Sequence, residues 1–448
     1  MKTRTLALLL CLALVGVFAP TVASAATATV KGTYYPLTSA RLLDTRTTNG
    51  GHPTKLGPQS TLVLDVAGRG GVPTPGASAV VINITATGAS ANSFLTAWPA
   101  GTARPGVSSI NFLAGITRAN IATVPINASG DISFYNNAGS VNVVVDVLGF
   151  YGSGATSPTN PGIANEFTSL VPERLVDTRQ TTQGALEGNG QITMYVDFGL
   201  DGSLSSSVHA LAINVTAVGA TGAGYLTTWD GGTTRPTAST LNFVGPSPTA
   251  NMAVVKTKLC TTTACGTPAP VQFAIYNGST SPVHLLVDLV GIYFNDGTAG
   301  LRFTPLAPKR ISDSRTPLNG TPLGQQQTQT LTAPSTVVSA DTDSLVTNTT
   351  AVAPSAGTYL SMWRYGETRP PVSNLNAPAS TTVANGAVIP VSGANKFSIY
   401  NNAGTTNFLI DVTGRFDGSL SLAALRAAKR SDLGQVSSTS VRRSATDR

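Results

Sequence analysis

The sequence predicts an all-β protein built as three tandem β-sandwich domains, jelly-roll-like and related by internal repetition. Three observations predict it. The chain repeats itself three times. Within each repeat the apolar runs are short, β-branched and bounded by turn residues. The composition is low in charge and rich in Gly and Pro, which favours strands and turns over long helices.

The repeats are read directly. RLLDTR at Arg41–Arg46 returns as RLVDTR at Arg174–Arg179 and as RISDSR at Arg310–Arg315, with starts 133 and 136 residues apart. FLTAWPAGTARP, ending at Pro105, returns as YLTTWDGGTTRP ending at Pro236 and YLSMWRYGETRP ending at Pro370. Each copy closes on an apolar run with an Asp at its fifth position: NVVVDVLGFYG from Asn142, HLLVDLVGIYF from His284 and NFLIDVTGRFDG from Asn407. A unit of this length is too long for a solenoid repeat and suits a domain.

Spacing within the middle of each copy is strict. Counted from Trp98, Trp229 and Trp363, an Asn stands 15 residues before (Asn83, Asn214, Asn348). Further Asn residues stand 13 after (Asn111, Asn242, Asn376) and 22 after (Asn120, Asn251, Asn385). Between these, runs such as AVVINITATG, SFLTAW, IATVPI and DISFYN alternate with Gly, Pro, Asn and Ser, the mark of short strands and turns.

The expected division is a signal peptide at 1–25, repeats at 26–152, 163–296 and 297–418, a linker at 153–162, and a basic, disordered tail at 419–448. Each repeat is expected to fold independently. Export rests on Lys2 and Arg4, the apolar run Leu6–Phe18 and the small-residue exit Ala23-Ser24-Ala25. That run is shorter than the roughly 20 residues of a membrane span, so no span is expected once the signal is removed. Cys260 and Cys265, separated by Thr-Thr-Thr-Ala in a polar loop, are expected to form a small disulfide. No metal and no cofactor is expected.

The net charge of +7 is concentrated at the ends, in Lys2, Arg4 and tail residues such as Arg426, Lys429 and Arg442. The body between is nearly neutral, which argues against nucleic acid as a partner.

Taken together, RLxDTR, WxxGxxRP and VVVDVxG resemble the RLLDTR-type repeats found in secreted proteins of high-GC Gram-positive bacteria. The resemblance spans nearly all of the chain after the signal. It implies location and architecture and transfers no active site.

Motifs for hydrolysis, phosphate binding and dinucleotide binding are absent. His52, His209 and His284 fall at non-equivalent places. Two carboxylates recur: Asp44, Asp177 and Asp313, then Asp146, Asp288 and Asp411. They could run glycoside hydrolysis. The favoured reading is an Arg–Asp network with Arg41, Arg46, Arg174, Arg179, Arg310 and Arg315, because a bare carboxylate in so apolar a strand must be paired. The candidate ligand surface is the hairpin carrying Trp98 and Arg104, Trp229 and Arg235, Trp363 and Arg369. An exposed Trp could stack on a sugar. Otherwise the Trp packs in the core, or the Arg lies over it. The recurring Asn-x-Thr sequences at Asn83, Asn214 and Asn348 are read as Asn side chains paired with backbone or with each other.

The leading expectation is a non-catalytic extracellular protein for cell-surface attachment or glycan binding, with cell-wall or extracellular polysaccharide as partner. The alternatives are a structural or matrix protein that binds copies of itself, and a glycoside hydrolase-like enzyme.

Overall fold

A computed structural model describes residues 27–418 except 158, 183, 200–203, 233, 263, 264, 266, 299 and 317. The signal peptide read at 1–25 and the tail read at 419–448 lie outside the described residues. Within them the chain is all-β, apart from a short 3-10 turn at Ser205–Ser207.

The first copy sets the pattern. Its strands are β1 (Thr27–Ala28), β2 (Tyr34–Asp44), β3 (Ser60–Asp65), β4 (Ala77–Thr87), β5 (Ser93–Pro99), β6 (Ile110–Phe112), β7 (Arg118–Pro125), β8 (Asp131–Asn136), β9 (Asn142–Gly152) and β10 (Thr156–Ser157). One sheet has the order β2-β9-β4-β7, and a second, facing it, has the order β3-β8-β5-β6. Alternation along the strands puts Ile82, Ile84, Val145 and Val147 of the first sheet against Leu62, Leu64, Leu95 and Phe134 of the second. The RLxDTR strand β2 and the Asp-bearing strand β9 are neighbours, so the copy opens and closes on one antiparallel pair.

The second and third copies repeat this order. In copy two, Glu166–Asp177, His284–Phe294, Val208–Val218 and Thr249–Lys256 face Gln191–Val196, Val271–Asn277, Gly224–Trp229 and Leu241–Phe243. In copy three, Leu301–Asp313, Asn407–Gly418, Thr342–Val352 and Val383–Pro390 face Gln327–Thr332, Lys396–Asn401, Thr358–Arg364 and Leu375–Ala377. Copy two alone adds a strand at Lys258–Leu259. The loop after it holds the Cys260–Cys265 disulfide, Cα atoms 6.2 Å apart. The segment read as a linker is partly structured, since β10 pairs antiparallel with β1.

The first-named sheet of each copy is covered on both faces. In β9, Val145 faces the core of its own copy, while Val144 and Asp146 on the opposite face are also buried. The cover comes from the other copies. A fourth apolar cluster joins Tyr34, Val81 and Tyr151 of copy one with Phe167, Val254 and Tyr293 of copy two and Phe303, Val388 and Phe416 of copy three.

Its centre is a closed cycle of six rings. Tyr34 of copy one lies 4.4 Å from Tyr293 of copy two, Phe167 of copy two 4.1 Å from Phe416 of copy three, and Phe303 of copy three 4.1 Å from Tyr151 of copy one. The glycine of each VVVDVxG-type run makes room for these rings. A Cβ on Gly149, Gly291 or Gly414 would stand 2.2–2.4 Å from ring atoms of Tyr34, Phe167 or Phe303.

Backbone contacts close the same cycle. Tyr34 bridges to Asn165, Phe167 pairs with Leu301, and the Phe303 amide donates to the Gly32 carbonyl at 2.8 Å. Each copy therefore offers one surface to the next and a different surface to the previous one, a head-to-tail arrangement that closes after three units.

Candidate functional site

Two groups of recurring residues need placing: the Arg, Asp and Asn residues of the sheet shared with the neighbouring copy, and the Trp and Arg residues of the WxxGxxRP hairpin.

In copy one, Arg41 grips Asp146 with two parallel hydrogen bonds, Nε to Oδ1 at 2.8 Å and Nη2 to Oδ2 at 3.2 Å. The same fork joins Arg174 to Asp288 at 2.6 and 3.1 Å, and Arg310 to Asp411 at 2.8 and 3.0 Å. Burial pushes the Asp146, Asp288 and Asp411 carboxyls up, and the guanidinium on each pulls back. The first Asp of each motif is held locally. Arg46 donates twice to Asp44, at 2.8 and 2.7 Å, and Arg179 and Arg315 do the same to Asp177 and Asp313. These hydrogen bonds hold Asp44, Asp177 and Asp313 below the usual carboxylate range.

The electrostatic need for a partner was legible in the sequence, but the face was not. Asp146 points away from the core of its own copy and toward copy two, where Arg41 also reaches the Thr237 carbonyl at 3.5 Å.

Beside this fork run the recurring asparagines. Asn83 donates to the Ser239 carbonyl at 2.6 Å, Asn214 to Ser373 at 2.7 Å and Asn348 to Ser108 at 2.6 Å, each from one copy to another. Returning bonds run from Asn251 to the side-chain oxygen of Asn83, from Asn385 to that of Asn214 and from Asn120 to that of Asn348. The side-chain oxygens of the returning residues, Asn251, Asn385 and Asn120, accept in turn from the backbone amides of Ile121, Met252 and Gly386. Asn111, Asn242 and Asn376 accept from the serines Ser108, Ser239 and Ser373 that the neighbours grip. The strict Asn and Trp spacing thus has a cause: the hairpin between the Trp strand and the next is the part that docks on another copy.

The hairpin tryptophans require a correction. Trp98, Trp229 and Trp363 are only 5–7 % exposed. Leu95 and Ala97 face the core, so Trp98 projects outward from β5, but the hairpin folds back over it. Its indole N–H donates to the Thr102 carbonyl at 3.0 Å, and the others reach Gly232 at 3.0 Å and Glu367 at 2.9 Å. They are not sugar platforms. Nor do the hairpin arginines lie on them. Arg104 lies 3.8 Å above the ring of Tyr135, Arg235 3.5 Å above Tyr276 and Arg369 3.8 Å above Tyr400.

These tyrosines were missed as site residues. The available signal was the recurring Tyr-Asn in FYNN, IYNG and IYNN, with core residues Phe134, Ile275 and Ile399 immediately before, which turns each Tyr outward. A second aromatic stands beside each one: Phe94 at 6.4 Å, Tyr225 at 6.3 Å and Tyr359 at 6.1 Å between ring centres. The outer sheet of every copy therefore carries two aromatic rings and an exposed arginine stacked on one of them.

The three histidines stay apart, and His209 is held by Asn165 at 2.7 Å. Among the described residues no group of His, Cys, Asp and Glu could hold a metal, and no helix is long and apolar enough to cross a membrane.

No family model and no curated protein matches the chain. Among solved structures it is similar to one described as "The Triple Jelly Roll Fold and Turret Assembly in an Archaeal Virus", at 12% identity over 89% of this chain and 98% of that one, TM-score 0.18. A second is described as "Life in the extremes: atomic structure of Sulfolobus Turreted Icosahedral Virus", at 12% identity over 89% and 99%, TM-score 0.16. Overlaps this low say nothing about function.

Proposed function

We propose that this is a secreted, non-catalytic attachment protein that binds extracellular polysaccharide through three equivalent surfaces. The observation that carries the reading is the aromatic pair with its stacked arginine, which recurs on the outer sheet of all three copies. Tyr400 is nearly covered by its arginine, but the half-buried second rings, Phe94, Tyr225 and Tyr359, present apolar surface that suits the faces of sugar rings beside the exposed guanidinium. Three weak sites on one body gain avidity on a repeating polymer. The strand order β2-β9-β4-β7 facing β3-β8-β5-β6, repeated in the other copies, supports reading each copy as a jelly-roll domain. The hydrolase reading is disfavoured because both recurring carboxylates are engaged by arginine in every copy.

The test is a panel of neutral and acidic extracellular glycans presented to the intact secreted protein. Binding to at least one polymer, weakened by replacing Tyr135, Tyr276 and Tyr400 with Ala, is expected. A protein that binds none of them refutes the reading. If mass measurements over a range of concentration then show ordered self-association, the matrix reading replaces it.

A further inference from the structure

We propose that each outer platform selects an acidic sugar, with the stacked guanidinium as the anchor for a sugar-borne carboxylate or phosphate. This rests on the glycan-binding reading and names its ligand class.

The argument begins with which arginines are committed. Those of the RLxDTR segments all end on carboxylates. Arg104, Arg235 and Arg369 are exposed and make no ion pair with any described residue. Among the described residues, their charge rests on a tyrosine face. Stacking of this kind occupies the flat side of a guanidinium and leaves its in-plane N–H donors directed outward, in the geometry that matches a carboxylate or a phosphate oxygen pair.

The arginine is also held in place. Each is followed by proline (Pro105, Pro236, Pro370), which restricts its backbone. The hairpin carrying it is pinned at its turn by the indole N–H of the buried Trp. It is pinned at its far end by an asparagine of another copy, through Ser108, Ser239 or Ser373. A donor set fixed before binding loses less freedom when the anion arrives. The neighbouring Phe94, Tyr225 or Tyr359 offers a ring face for the next sugar. A polymer with an acidic group on each repeat can engage more than one platform at once.

The intact protein should be tested on three immobilised polymers: polygalacturonate, poly(glycerol phosphate) and uncharged dextran. Binding to one or both acidic polymers well above dextran is expected, and which one binds identifies carboxylate or phosphate as the source. Arg104→Gln alone should weaken binding several-fold. The triple variant Arg104→Gln, Arg235→Gln and Arg369→Gln should weaken it by about a hundredfold or more, as loss of avidity requires. The matching triple Lys variant keeps the charge and loses the fork, and should recover only part of the binding. The side chains are exposed, so an unchanged melting temperature should confirm an intact fold. Equal binding to dextran, or a Gln triple variant that binds like the parent, overturns the acidic-sugar inference while leaving glycan binding standing. A folded protein that binds no polymer, acidic or neutral, removes both.

Discussion

The side-chain amide of Asn251 donates to the side-chain oxygen of Asn83 at 3.0 Å, across 168 positions of chain. It donates also to the Thr240 carbonyl at 2.6 Å, and its own oxygen receives the Ile121 amide at 3.1 Å. One buried residue thus satisfies two acceptors and a donor, two of these groups belonging to another copy. Asn251→Ala would leave all three unpaired. Each unsatisfied buried polar group costs about 1–3 kcal/mol, so a loss of roughly 3 kcal/mol or more is expected. Urea unfolding should show a lower midpoint with an unchanged slope. A loss below about 1 kcal/mol would mean the cycle of asparagines does not hold the copies together.

Because the copies share an apolar centre, a single copy should not behave as an ordinary monomer. Residues 163–296 alone would expose the surface made by Phe167, Met252, Val254 and Tyr293, all buried in the whole chain. An exposed apolar patch of that kind drives association or loss of order. Analytical ultracentrifugation of this fragment is expected to show oligomers, trimers foremost, or an unfolded chain. A stable monomer would restore the independence that the repeat length alone suggests.

Strands, turns and the repeat were legible because they are local. The Arg41–Asp146 fork was legible because a carboxylate inside NVVVDVLGFYG must have a partner. Closure of the cycle was harder to see, because the asparagines that make it bond to residues more than 150 positions away. One signal was available. NVVVDVLGFYG is apolar at successive positions, not alternate ones, and a strand apolar on both faces is covered on both. The burial of Trp98 could not be read, because it depends on the hairpin folding back over its own strand. The Tyr135 platform was hidden by the more conspicuous Trp nearby.

The hydroxyl of Tyr34 is buried with no hydrogen-bond partner among the described residues, and burial pushes its pKa well up. Its counterparts in the other copies are Phe167 and Phe303, which fill the same place with no hydroxyl. Tyr34→Phe removes an unsatisfied group and should be neutral or stabilising by up to about 1 kcal/mol. Tyr151→Phe is the contrast. It breaks the 2.7 Å bond to the Tyr293 hydroxyl and should destabilise by a similar amount. Calorimetric melting should fall in Tyr151→Phe and hold or rise in Tyr34→Phe; a marked loss in Tyr34→Phe would contradict the packing described.

The lowered pKa of Asp44 sets a pH dependence. A carboxyl held below its unfolded value contributes stability that is present above the unfolded pKa, about 3.9, and lost as pH falls through the folded one. The hydrogen bonds from Arg46 are the main cause. The stability difference between the parent and Arg46→Gln should therefore be full above about pH 5 and shrink as the pH drops below 4. Urea titrations at several pH values would measure it. A difference constant down to pH 2 would assign the effect to packing of the arginine stem instead of charge.

The fork between Arg41 and Asp146 makes the last prediction, and its consequences extend beyond copy one. Asp146 is fully buried and Arg41 about 20% exposed. Asp146→Ala would leave the guanidinium without its carboxylate in a partly closed site, a change that costs about 3–5 kcal/mol when the charge is fully buried. Partial exposure of Arg41 places the expected loss at the lower end. The pair faces copy two, where Arg41 meets the Thr237 carbonyl and the adjacent Asn83 holds Ser239. The damage should therefore appear at the joint between copies one and two as well as in copy one. Hydrogen exchange should show faster exchange at residues 237–240 together with β2 and β9. Protection lost in β2 and β9 alone, with 237–240 unchanged, would make the fork a device internal to one copy and not part of the junction.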